Sequence, residues 1–224
     1  MQRTLLVLTL LAAAVLPALA QSRPVDRVSQ MQSIANSLGV TCNYCHSAER
    51  GSGQPEPRKQ IAKAMMEMTD ELNSRIRAAT GKEAGQVTEI QCSFCHRGVA
   101  IPKPIGDVVW QTMREKNVAA AVDQYRDLRK QFYGRATYDF GEDPLVTLAQ
   151  QIANARPDDA IALMNLNLEY YPKSVRSLLA LSFAQTRKLD DAAAIASLEH
   201  ALEIEPENGI IKGRLEQLKS YRRR

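Results

Sequence analysis

Two copies of one pentapeptide constrain this chain more than any other feature. Residues 42–46 read Cys-Asn-Tyr-Cys-His, and residues 92–96 read Cys-Ser-Phe-Cys-His. Each is C-x-x-C-H, the attachment pattern of a c-type haem. Two thiols three residues apart can form thioethers to the two vinyl groups of one porphyrin. The histidine directly after the second thiol then reaches the iron. The spacing assigns Cys42, Cys45 and His46 to one haem c, and Cys92, Cys95 and His96 to another. The expected cofactors are therefore two covalently attached haem c groups.

The chain has four cysteines and three histidines, and the motifs use all four cysteines and two of the histidines. A four-thiolate zinc site and a pair of disulfides are the competing readings. The 46 residues between the two cysteine pairs exceed the usual separation in a zinc ribbon. Neither competitor explains a histidine after each pair.

Residues 1–20 read as a signal peptide. Arg3 is the positive end, residues 5–16 are apolar, and Ala18-Leu19-Ala20 is a small-x-small cleavage site. An uncleaved anchor is the alternative, but the apolar run is short for a bilayer span. Cleavage near Ala20 leaves 28 Lys and Arg, once Arg3 is gone, against 25 Asp and Glu. This is not the footprint of a nucleic-acid binder. No later stretch is apolar enough to cross a membrane. The expected mature chain is exported, to a periplasm or a comparable compartment.

Apolar residues recur at intervals of three and four, and strand patterns are absent, so the expected fold class is all-α. The periodicity predicts a helix over 24–38, stopped by Gly39, with Val25, Val28, Met31, Ile34 and Leu38 on one face. A Gly/Pro-rich loop is expected over 47–57. A second helix is predicted over 58–79, with Ile61, Met65, Met68, Leu72 and Ile76 on its apolar face. Met66 lies about 100° around that helix and is expected on a flank. The segment 101–106, with two prolines and a glycine, reads as a linker or a wrap over the haem. Arg97 is either a partner for a haem propionate or a solvated surface residue.

Each iron needs a sixth ligand or an open site. His200 is the remaining histidine, far along the chain, and reads as an ordinary surface or packing residue. Two haems with paired histidines would need four, so methionine sulfur is the natural alternative. Met31 is the candidate for one iron. Met65 or Met68 is the candidate for the other, and periodicity does not separate them. Core packing is the ordinary role of such methionines.

Residues 31–46, 59–73 and 92–98 (MQSIANSLGVTCNYCH, KQIAKAMMEMTDELN and CSFCHRG) resemble the cytochrome subunit of photosynthetic reaction centres. They are most similar to the short two-haem bacterial relatives of that subunit. The photosynthetic subunit itself carries four haems, and this chain carries two motifs. The resemblance covers residues 24–105. It implies a haem unit made of a helix bearing the axial methionine, a turn, the C-x-x-C-H and a second helix. It places the first axial ligand on Met31. The family spacing of methionine, three residues, then threonine falls on Met65 and Thr69, which favours Met65 for the second.

The rest of the chain repeats. Residues 160–172 (AIALMNLNLEYYP) align with 194–206 (AIASLEHALEIEP) at a separation of 34 residues, pairing Ala160 with Ala194, Met164 with Leu198 and Pro172 with Pro206. That period and pattern read as tetratricopeptide-like. Leu145, Leu148 and Ile152 mark the preceding helix of the first pair. Leu178, Leu181, Phe183 and Ala184 mark that of the second. Residues 119–133 resemble half of an earlier, degenerate pair, and 210–221 a closing helix. The expected organisation is a signal peptide over 1–20, a di-haem cytochrome c domain over 21–106 and a helical repeat domain over 107–224.

Two functions fit these residues. The first is a carrier, not an enzyme, that passes single electrons between redox partner proteins, a donor and an acceptor. A further protein partner is possible on the groove of the helical repeat. The alternative is a peroxidase-type enzyme with one open iron and polar groups above it, for which Glu67, Asp70 and Glu71 are the nearby side chains. The supply of methionine ligands favours the carrier.

Overall fold

The computed structural model describes residues 26–46 and 57–222. The signal segment, Pro24, Val25 and nearly all of the Gly/Pro loop lie outside the described residues. Among the described residues there are ten α-helices, one 3-10 turn and no strand, so the chain is all-α.

Helix α1 spans Arg27–Leu38. Asp26 caps it by accepting the Val28 N–H at 3.2 Å and the Ser29 hydroxyl at 3.0 Å. Those bonds, led by the one from Val28, hold the Asp26 carboxyl below its ordinary range. The helix stops at Gly39, which is left-handed at φ 65°. A Cβ on Gly39 would stand 2.1 Å from the Gly98 carbonyl oxygen. Glycine is needed there both for the turn and for the approach of the second motif.

Helix α2 spans Pro57–Thr80, close to its expected bounds. It packs only sparsely on other helices. Its ties are polar. The Asn73 side chain accepts the Ile90 N–H at 2.7 Å and donates to the Ile90 carbonyl at 2.9 Å. Arg77 pairs with Glu89 at 2.7 Å. These bonds hold the polar loop that leads to helix α3, Cys92–His96.

Seven helices follow: α4 Ile105–Glu115, α5 Val118–Phe132, α6 Asp143–Ile152, α7 Pro157–Tyr170, α8 Val175–Arg187, α9 Asp191–Ile204 and α10 Gly209–Arg222. The pairs α4/α5, α6/α7 and α8/α9 form hairpins stacked in chain order, and α10 closes on α9. Asn117, Ser174 and Asp190 cap α5, α8 and α9 through their side chains. One apolar core runs from Ile105 and Val109 through Tyr125 and Leu145 to Leu163, Met164 and Ala184. A second joins Leu178, Ile195, Leu198, Ile211 and Leu215. Each such aliphatic side chain contributes about 2 kcal/mol on burial.

The 34-residue correspondence is visible in packing. Ala160 and Ala194 are both buried, as are Met164 and Leu198. Two local expectations need correction. Helix α4 begins at Ile105, inside the expected linker, because Ile105 is fully enclosed in the core. Phe183 is exposed on α8, while Leu178, Leu181 and Ala184 face inward.

Candidate haem-binding site

The half that carries both motifs has almost no core of its own. Among the described residues before Ile105, only Ala35 and Asn73 are buried. The stripe on α2 stands open: Ile61 is 59 % exposed, Met65 42 %, Met68 47 % and Leu72 38 %. A 24-residue helix that leaves such a stripe uncovered has no packing reason to be there. The stripe is a surface that a large apolar group would cover.

In the first motif, Cys42–Tyr44 form the 3-10 turn. The Cys45 and His46 N–H groups both donate to the Cys42 carbonyl, at 3.3 and 3.0 Å. One tight turn thereby gathers both thiols and the imidazole. Arg58 anchors the start of α2 on this turn, lying 4.3 Å over the Tyr44 ring and donating to the Tyr44 carbonyl at 3.1 Å.

In the second motif, α3 carries Cys92, Cys95 and His96. His96 Nδ1 lies 3.1 Å from the Val99 carbonyl oxygen. A carbonyl only accepts, so Nδ1 is the donor in this bond and Nε2 is the ring nitrogen left to face a metal. This hydrogen bond also fixes the ring orientation. All four thiols are free, so neither pair forms the disulfide considered above. Among the described residues no three His, Cys, Asp or Glu side chains gather as a metal site, so the thiols do not converge as a zinc tetrahedron would need.

A cleft of about 1580 Å³ opens between α1, α2 and the approach to α3. Val28, Met31 and Ile34 line one wall, Met66 and Thr69 the other, and Cys92 one end. Met31 is among the α1 residues that line this space. Met65 and Met68 stand on the neighbouring open stripe of α2. Met66, expected on a flank, is half-buried and lines the cleft. Its face also carries Thr69 and Asn73, whose polarity hides it from an apolar periodicity. The Thr69 hydroxyl donates to the Met65 carbonyl at 2.8 Å, within the helix.

His200 is exposed on α9. Arg97 donates to the Phe94 carbonyl at 3.0 Å and the Ala136 carbonyl at 3.1 Å. Glu67 and Asp70 are exposed along the cleft. Glu71 pairs with Arg75 at 2.7 Å.

A profile of the photosynthetic reaction centre cytochrome C subunit family matches residues 30–156, more than half of the chain. The chain belongs to this family. The match takes in both motifs and continues through α6, beyond the stretch whose motifs carry the resemblance in sequence. A curated relative, the photosynthetic reaction center cytochrome c subunit of Rubrivivax gelatinosus, is 30% identical over 142 residues. That alignment covers 60% of this chain and 35% of the relative, so the chain spans about a third of that relative's length. Membership of a cytochrome c family brings covalently bound haem c, and the residues present fit it. The thiols are free and paired, one histidine ring is held through Nδ1, methionine thioethers stand on open faces, and the surrounding apolar surface lacks other cover among the described residues.

Proposed function

We propose that this chain is an exported di-haem c-type cytochrome that carries single electrons between redox partner proteins. The observation that carries the proposal is the contrast between the two halves. The half with the motifs exposes its apolar stripe, thiol pairs and methionines, whereas the helices from Ile105 onward close over their own cores. The haem groups supply the one-electron chemistry; the chain binds, ligates and shields them.

On this reading Cys42 and Cys45 would hold one haem through thioethers and His46 would bind its iron. Cys92, Cys95 and His96 would do the same for the second. Met31 and Met65 would supply the remaining ligands. A thioether ligand beside a histidine would keep iron low-spin and raise its potential. Residues 1–20 act as the export signal, and no described helix is long and apolar enough to cross a membrane.

We read α4 to α10 as tetratricopeptide-like and assign them the docking of a redox partner. The hairpin stacking, the shared inward positions at a 34-residue separation and the groove of about 660 Å³ around Trp110 between α4 and α6 support this assignment. Spectra of the purified protein in both redox states test the proposal. Two low-spin irons with a far-red thioether band are expected. A high-spin iron that reacts rapidly with peroxide would replace the carrier with the peroxidase-type enzyme.

A further inference from the structure

The residue after the second iron-binding histidine is tied to the opposite half of the molecule. Arg97 has left-handed backbone, φ 48°, a conformation that costs a non-glycine residue about 1 kcal/mol or more. It is held from outside the motif. Its carbonyl accepts the Thr137 hydroxyl at 2.6 Å, and its guanidinium donates to the Ala136 carbonyl at 3.1 Å. Ala136 and Thr137 lie between α5 and α6.

That segment is anchored at its far end. The Phe140 carbonyl accepts Arg129 Nη1 at 2.7 Å and the Tyr171 hydroxyl at 2.5 Å. Arg129 is itself buried, with Tyr170 and Tyr133 rings 4.2 and 4.3 Å from its guanidinium carbon. Next along, the Glu142 carboxylate accepts the Ser174 hydroxyl at 2.6 Å. The segment is thus a strut. One end rests in the repeat core and the other on the turn after His96.

The same turn supplies the carbonyl of Val99 to His96 Nδ1. We propose that Thr137 and Arg97 are positioning residues for the second haem: the α5–α6 strut holds the 97–99 turn so that the Val99 carbonyl stays on His96, and this lowers that iron's reduction potential. A hydrogen bond from Nδ1–H makes the imidazole a stronger donor, which favours ferric iron. The strut therefore makes the potential of one haem depend on the fold of the helical half. The inference rests on the di-haem reading given above.

The test uses the full-length, haem-loaded protein. Thr137→Val keeps the side-chain shape and deletes the hydroxyl; Thr137→Ser keeps the hydroxyl. A haem count on the unmutated protein comes first, and a count below two overturns the reading beneath the inference. With two haems present, potentiometric titration should show two waves. Thr137→Val should move one wave to higher potential and leave the other in place, with circular dichroism unchanged. Thr137→Ser should leave both. The shift should persist in protein with Cys42 and Cys45 changed to alanine, which keeps the second haem alone. Two unmoved waves, a common shift of both, Ser behaving as Val, or loss of the shift when the second haem is alone would each overturn it.

Discussion

Met31, Met65, Met66 and Met68 stand in two settings on two helices. Met31 and Met66 face the cleft between α1 and α2, and Met65 and Met68 the open stripe. A thioether on ferric haem gives a weak far-red band, so with one Met per iron Met31→Ala and Met65→Ala should each remove about half of it. Met66→Ala should leave the band intact, because the thioether assigned to the second iron is that of Met65. If Met66→Ala or Met68→Ala removes the half assigned to Met65, the second ligand lies on a different position of α2. Tyr125 gives a different prediction. It is fully buried, its hydroxyl has no well-formed hydrogen bond among the described residues, and burial pushes its pKa up to about 12. The unfolded phenol ionises near 10, so between about 10 and 12 the unfolded chain has lost a proton that the folded one keeps. Folding stability should fall as pH rises through that window, by up to about 3 kcal/mol. Tyr125→Phe should flatten this alkaline loss in urea titrations at successive pH values, and an unchanged slope would contradict it.

Helix α1 and the second motif meet at two glycines. Gly39 stops α1, and the backbone of Gly98 fills the space where its Cβ would be. The Gly98 N–H also donates to the Ser37 carbonyl at 2.8 Å. Gly39→Ala therefore adds left-handed strain and a clash with main chain, at a cost of about 2 kcal/mol or more. It should lower the midpoint of the half that carries the motifs in denaturant and leave the melt of α4–α10 unchanged. Equal loss in both would show that the halves unfold together. At this scale much was readable from sequence. The bounds of α2 and the stop at Gly39 follow from periodicity and turn chemistry. The α7/α9 correspondence follows from spacing. What could not be read are the ties across long stretches of chain: Asn73 on Ile90, Gly98 on Gly39, and Arg97 on Ala136. Each is a polar or backbone contact between residues far apart in sequence, and no local pattern marks it. The half-burial of Met66 is hidden for a related reason, since Asn73 makes that face look like a solvated one.

The molecule as a whole is asymmetric in what holds it together. The helices from Ile105 onward bury their own apolar residues, whereas the motif-bearing half has two open apolar faces and only two buried residues among those described. Protein made without haem attachment should therefore keep a cooperative helical melt from α4–α10 and lose the helices before them. A single transition that removes all helix at once would contradict this division. C-x-x-C-H puts its chemistry in adjacent residues, so the assignment of the thiols and histidines rests on sequence alone. Which face of α2 is covered depends on packing, which periodicity does not give. The central claim is that every cysteine of this chain serves haem. The decisive measurement is the mass of the denatured, exported protein, corrected for the cleaved signal peptide. The mature chain plus two haem masses is expected, falling to one when Cys92 and Cys95 are changed to alanine. One haem on the unmutated chain, or none with the thiols free, would contradict it.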